Sequence, residues 1–223
     1  MGYKITIDGF AATGKGTLAK KIAKDLNILY VDSGMIYRTF GLYMARKNVD
    51  VTNSANVENE LINVNIYLKQ TENGPRAILN NEDVSDLIRT EQVAALTSII
   101  AKIKAVREKV LTIQRSISKD QNVIMEGRDI GSEVFPDAEL KIFLTASAQE
   151  RARRRYNELI NKGKITTLEE VKNQIVNRDR EDVTREISPL VKTEDMIEID
   201  TTNLTEEQVY DKVKELILKK GLG

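Results

Sequence analysis

Apolar positions along this chain follow two alternating rhythms. Short, largely apolar runs occur at Lys4–Ile7, Ile28–Val31, Asn122–Met125, Leu140–Leu144 and Ile197–Ile199. Longer segments lie between them, with apolar residues three and four apart, such as Leu18, Ile22, Ala23 and Leu26 within Lys15–Leu26. The first rhythm predicts strands and the second predicts amphipathic helices. Further helices are expected from Asp32-Ser33-Gly34 to about Arg46 with Ser33 as N-cap, from near Ser147, and from Thr205 to Leu218. Apolar strands separated by helices build a parallel sheet covered on both faces. The expected fold is therefore α/β, three layers with a parallel five-stranded core sheet, in one domain spanning residues 1–223.

One segment breaks the alternation. Asn63–Leu68 alternates polar and apolar residues, Glu72-Asn73-Gly74-Pro75 supplies turn chemistry, and Arg76–Leu79 continues the pattern up to Asn80-Asn81. This predicts a small antiparallel meander. A hairpin cannot serve as a crossover in a parallel sheet, so residues 57–89 read as an inserted subdomain. Residues 151–185 differ in kind, being dense in arginine (Arg151, Arg153, Arg154, Arg155, Arg178, Arg180, Arg185) between two core strands. Such a segment suits a mobile lid that brings cations onto a bound anion and excludes water. The Arg151–Arg155 cluster can equally form a solvated helix face with local ion pairs.

Composition narrows the chemistry. The 223 residues include 34 Lys+Arg and 34 Asp+Glu, so no global basic field favours nucleic acid as a partner. Without cysteine or histidine, thiolate and imidazole nucleophiles, zinc sites and Ser-His-Asp hydrolysis are excluded. Lys, Arg, Asp, Glu, hydroxyls and a hard cation remain. Lys4 and Asp8 interrupt any leader-like apolar run, and no run approaches the ~20 residues that span a bilayer. A cytoplasmic protein with no membrane association is expected.

The most specific chemistry lies behind the first strand. Gly9-Phe10-Ala11-Ala12-Thr13-Gly14-Lys15-Gly16-Thr17 joins that strand to a helix and reads as a P-loop. Its glycines let backbone N–H groups point at phosphate oxygens, the helix N-terminus adds positive dipole, and Lys15 reaches the outer phosphates. Gly16 follows the lysine, so the hydroxyl on the metal side is Thr17, one residue later than usual. This Gly-Lys-Gly-Thr variant is similar to that of nucleoside monophosphate kinases rather than GTPases or motor ATPases.

Phosphoryl transfer needs a second anion site and closing cations. Asp32-Ser33-Gly34-Met35-Ile36-Tyr37-Arg38 offers a hydroxyl and N–H groups at a helix start, with Arg38 about one turn further on. Glu126-Gly127-Arg128-Asp129 follows a buried strand, where open α/β sheets bind ligands. There Glu126 could help hold a hydrated Mg²⁺ and Arg128 could clamp a phosphate. Ser33 as a simple helix cap, Arg38 as a surface residue, and Glu126 and Asp129 as local pairing partners are the structural alternatives.

Over essentially its whole length the chain resembles the bacterial cytidylate (CMP) kinases. The matching segments are Ile5-Thr6-Ile7-Asp8-Gly9 with Gly14-Lys15-Gly16-Thr17, Asp32–Arg38, Asp83-Val84-Ser85 with Ile88-Arg89-Thr90, Glu126–Gly131 with Val134–Ala138, and Arg178-Asp179-Arg180 with Ser188-Pro189-Leu190. The P-loop is shared with many families, whereas the Asp-Ser-Gly and Gly-Arg-Asp-Ile-Gly segments in this order are far more specific. The resemblance implies that the insert is a monophosphate-binding subdomain. It implies that Gly9, Ala11, Ala12, Thr13, Gly14, Lys15, Gly16 and Thr17 hold ATP, with Thr17 and Glu126 on the Mg²⁺ side. Ser33, Tyr37, Arg38 and Arg128 would engage the CMP phosphate, and Ser98, Arg107, Asp129 and Arg185 the cytosine. Arg178 and Asp182 would contact the sugar, while Lys15, Arg128, Arg178 and Arg185 serve catalysis. Many relatives carry Asp in place of Glu126 and Arg in place of Glu181.

The implied reaction is direct in-line transfer from ATP to CMP or dCMP by a monomer, with no nucleic-acid partner. Other acceptors (UMP, AMP, shikimate) are the rivals within the kinases. A nucleotide switch or RNA-associated ATPase is the rival outside them. Asn161-Lys162-Gly163-Lys164 lacks the aspartate of a guanine-binding motif.

Overall fold

The structure, a computed structural model, describes residues 2–71 and 74–222. Its core sheet has five strands in the order β2-β6-β1-β7-β8. They are β1 (Lys4–Gly9), β2 (Leu29–Asp32), β6 (Val123–Gly127), β7 (Leu140–Thr145) and β8 (Ile197–Asp200), and they correspond to the five runs read from the pattern. A separate antiparallel sheet holds β3 (Ile66–Thr71), β4 (Gly74–Leu79) and β5 (Glu82–Asp83), which is the expected meander. Of its expected turn, Glu72 and Asn73 lie outside the described residues. The chain divides into two compact units, one formed by residues 29–122 and one by residues 3–28 with the chain from 123 onward.

In the second unit β1 is central, paired in parallel with β6 (Asp8 opposite Gly127) and with β7 (Gly9 opposite Leu144). Ile5 and Ile7 are fully buried, and so are Thr6 and Asp8 on the alternate face. Gly9 has φ 146°, and a Cβ there would stand 2.1 Å from the Leu144 carbonyl oxygen, so the chain can turn into the loop only without a side chain. Helix α1 (Lys15–Leu26) packs against β6 and against α8 (Glu206–Lys219). Helices α6 (Ala148–Asn161) and α7 (Leu168–Thr184) form a hairpin around Ala152, Val171 and Ile175. A capping box at Thr167 and Glu170 starts α7.

In the first unit α2 (Ser33–Arg46) buries Ile36, Phe40 and Met44 against the meander and against α4 (Glu91–Ile100). Helices α3 (Ser54–Leu61) and α5 (Lys104–Ile117) complete the same core. None of α3, α4 and α5 is among the elements expected from the pattern. Their apolar positions are periodic, but no glycine or proline lies between Gly41 and Gly74, around α3, or between Pro75 and Gly127, around α4 and α5, to punctuate them.

The cap of α2 differs from expectation. Asp32, not Ser33, occupies the N-cap and accepts a hydrogen bond from Met35 N at 3.1 Å, while Ser33 is the first helical residue and is buried. A carboxylate outcompetes the hydroxyl because it also meets the positive end of the helix dipole. Asp32→Ala is expected to lower stability by about 1 kcal/mol, whereas Ser33→Ala leaves the cap in place. Urea unfolding of both variants checks this, and equal losses would restore Ser33 as the cap.

Candidate functional site

The P-loop arches between β1 and α1. Ala12 sits at φ 60° and Gly14, the N-cap of α1, at φ 93°, so alternate residues turn the backbone inward. Lys15 is 5% exposed, and its Nζ donates to Phe10 O at 2.6 Å and Thr13 Oγ1 at 3.4 Å. Burial first, then the Arg128 charge, push its pKa down to about 7, while Glu126 and Asp8 act in the opposite direction. An ammonium held this way gains from any anion that enters the loop. Thr17 and Gly14 are exposed on the first turn, and Gly16 is half-buried.

Around this loop the same unit gathers several charges. Arg128, just past β6, donates from Nε to Asp182 Oδ2 at 2.8 Å. Burial acts to raise the Asp182 pKa, but Arg128 overrides it by charge and hydrogen bond and holds that carboxyl below its ordinary value. Arg185, the C-cap of α7, lies 3.8 Å from Asp129 and 3.8 Å from Asp182, and donates to Ser188 O at 2.6 Å. Arg178 is exposed on α7, and its charge acts on both Lys15 and Asp182. Glu126 is half-buried and acts on Lys15 and Arg128. The structure thus brings Lys15, Glu126, Arg128, Asp129, Arg178, Asp182 and Arg185 into one unit with the P-loop.

Ser33, Tyr37, Arg38, Ser98 and Arg107 belong to the other unit. Arg38 turns back along α2 to pair with Asp32 at 2.7 Å, and among the described residues its buried Nε meets no hydrogen-bond acceptor. Arg107 is buried on α5, donates to Ala101 O at 2.9 Å, and its guanidinium stands 5.7 Å from the Tyr37 ring centre. Ser98 is exposed on α4.

Two residues outside the expected set join the site. Arg151 is expected only as part of a cluster that could be solvated. It is 5% exposed and pairs with Asp179 at 2.6 Å, donates to Ala11 O at 3.3 Å and to Ala146 O at 2.9 Å, and lies over Phe10. Arg153 and Arg155 do form the solvated face, pairing with Glu150 and Glu158. The signal for Arg151 is its place beside Ala152, on the side of α6 that packs against α7.

Asp8 is the second. Its carboxylate is fully buried, and accepts Ile130 N at 2.9 Å and Gly131 N at 2.7 Å. A carboxylate among buried β1 residues, directly before the P-loop, is its only signal in the sequence. Burial raises its pKa to about 6 against the two backbone hydrogen bonds, which lower it.

A folded pKa above the unfolded value means that the native state holds the proton more tightly. Wild type is therefore expected to lose about 3 kcal/mol relative to Asp8→Asn as pH rises from below 4 through 6. Denaturant titrations of both proteins across that range check it, and parallel stability curves would remove the shift.

Among the described residues no helix is long and apolar enough to cross a membrane. A family model described as cytidylate kinase matches residues 5–219. A cytidylate kinase of Bacillus cereus is 45% identical over 213 residues, covering 96% of this chain and 95% of the relative. One from Oceanobacillus iheyensis is 44% identical over 215 residues, covering 96% and 94%. Among solved structures, a shikimate kinase from Bacteroides thetaiotaomicron aligns with 97% of this chain and 98% of its own at 14% identity, with a TM-score of 0.46.

Proposed function

Because the chain belongs to the cytidylate kinase family, which makes it a nucleoside monophosphate kinase, we propose that it transfers the γ-phosphoryl group of ATP to CMP and dCMP, giving ADP with CDP or dCDP. The observation that carries this reading is the group of Lys15, Arg128, Arg178 and Arg185 gathered in the unit of the P-loop. A transferring phosphoryl group spreads negative charge over its equatorial oxygens, and prearranged cations stabilise that charge without reorganising.

In this reading Gly9, Ala11, Ala12, Thr13, Gly14, Lys15, Gly16 and Thr17 hold the ATP phosphates. Ser33, Tyr37, Arg38 and Arg128 take the acceptor phosphate. Ser98, Arg107, Asp129 and Arg185 recognise the base, and Arg178 and Asp182 the sugar. Cytosine presents an amino donor beside carbonyl and ring-nitrogen acceptors, which suits carboxylate and hydroxyl paired with arginine. The 57–89 insert serves as the monophosphate-binding subdomain and 151–185 as the lid.

The acceptor oxygen is already anionic, so transfer in line needs no general base. A chain without cysteine or histidine has no thiol or imidazole to carry a covalent intermediate. Thr17 and Glu126 offer hard oxygen donors of the kind Mg²⁺ prefers and would hold it, with waters and nucleotide phosphates as its further ligands. When bound it supplies charge neutralisation between those phosphates. The reading extends to a monomer acting in the cytoplasm on small molecules.

ADP production from ATP and Mg²⁺, with CMP, dCMP, UMP, AMP and shikimate offered separately, tests the proposal. Turnover confined to CMP and dCMP supports it, and turnover only with another acceptor discards the base assignment. Arg128→Ala is expected to lower kcat about 100- to 1,000-fold with the far-UV spectrum unchanged. Asp129→Ala and Ser98→Ala should each raise the KM for CMP about tenfold while leaving that for ATP unchanged, as expected for loss of one base hydrogen bond. A uniform rise in both constants would argue against a base pocket.

A further inference from the structure

The proposed chemistry does not use Asp8, nor a second buried charge, Lys141 on β7, which is 7% exposed. Both act on the same short stretch of backbone. Residues Ile130–Val134 form a single π-helical turn after β6, closed by Val134 N on Asp129 O at 3.3 Å and Phe135 N on Ile130 O at 2.7 Å. Asp8 takes the N–H groups of Ile130 and Gly131 at its start. From β7, Lys141 Nζ donates to Gly131 O at 3.3 Å and Pro136 O at 2.5 Å, and pairs with Asp195. The N–H and the C=O of Gly131 are thus each held by a buried charge of opposite sign.

The packing leaves the turn little room to shift. A Cβ on Gly131 would stand 2.8 Å from Thr6 Oγ1, 2.9 Å from Met196 Cε and 3.1 Å from Lys141 Cδ. Arg128 and Asp129, which face Asp182 and Arg185, immediately precede this turn. A carboxylate is the side chain that can accept from two adjacent N–H groups at once. An asparagine offers one acceptor oxygen and would turn its NH₂ toward the other donor.

We propose that Asp8 and Lys141 are positioning residues for phosphoryl transfer, a pair of opposite charges that fixes the 130–136 turn and through it aims Arg128 and Asp129. Both oxygens of Asp8 are committed to the turn and the residue is fully buried, so it acts through the backbone and not on substrate. The inference rests on the reading of Arg128 as a residue that touches the transferring group.

The test is a set of variants on the full-length chain: Asp8→Asn, Lys141→Met, Arg128→Ala, and Asp8→Asn combined with Arg128→Ala. Lys141→Met keeps most of the buried stem and serves where Asp8→Asn does not fold. In folded protein each positioning variant is expected to lower kcat about 100-fold while KM for ATP stays within threefold. In the double variant the Asp8→Asn loss should shrink to under threefold, because the group through which it acts is gone. The amide proton resonances of Ile130 and Gly131 should move upfield in Asp8→Asn. A lower melting temperature with unchanged kcat, or fully additive losses in the double variant, would overturn the inference. Wild type without acceptor-dependent turnover, or Arg128→Ala at full activity, would instead show that the functional reading itself had failed.

Discussion

Charge balance at the carboxyl ends of β1 and β6 is the constraint on which the rest of this structure depends. Lys15, Arg128, Arg151, Arg178 and Arg185 share one unit with the P-loop, and several of them are withdrawn from water. Like charges gathered this way repel, and burial adds a desolvation cost to each. Asp8, Glu126, Asp129, Asp179 and Asp182 offset both terms. At Lys15 burial, and after it the Arg128 charge, outweighs Glu126 and Asp8 and lowers the pKa.

That balance explains why the strands carry polar residues where packing alone would place valine or leucine. Asp8 and Lys141 are buried charges inside a largely apolar sheet, each bonded to backbone. Buried charges with complete hydrogen bonding add little net stability, and their benefit lies in fixing one arrangement. In the first unit the same economy appears on α2. Asp32 caps the helix and also holds Arg38, so one carboxylate orients both the helix start and a cation.

Most of the architecture was legible in the sequence because it rests on local periodicity. The five core strands, α1, α2, α8 and the meander follow from spacing over a few residues, and the P-loop from consecutive ones. Helices α3, α4 and α5 are not legible in it, since the stretches between Gly41 and Gly74 and between Pro75 and Gly127 give no glycine or proline boundary at which to divide their apolar positions. The distinction between Arg151 and its neighbours Arg153 and Arg155 depends on which face of α6 meets α7, and in the run Arg151-Ala152-Arg153-Arg154-Arg155 only Ala152 hints at it. The partners of Asp8 lie 122 and 123 residues away, beyond any local pattern. Placing Asp32 rather than Ser33 at the cap required the geometry of the helix start, because both side chains are competent caps.

Arg151 has a consequence for how the second unit responds to its ligands. One guanidinium joins the Ala11 carbonyl of the P-loop, the Ala146 carbonyl ahead of α6, and Asp179 in α7. Its planar donors cannot follow these partners independently. A displacement of the loop at Ala11 and one of α7 at Asp179 therefore both act on the same guanidinium.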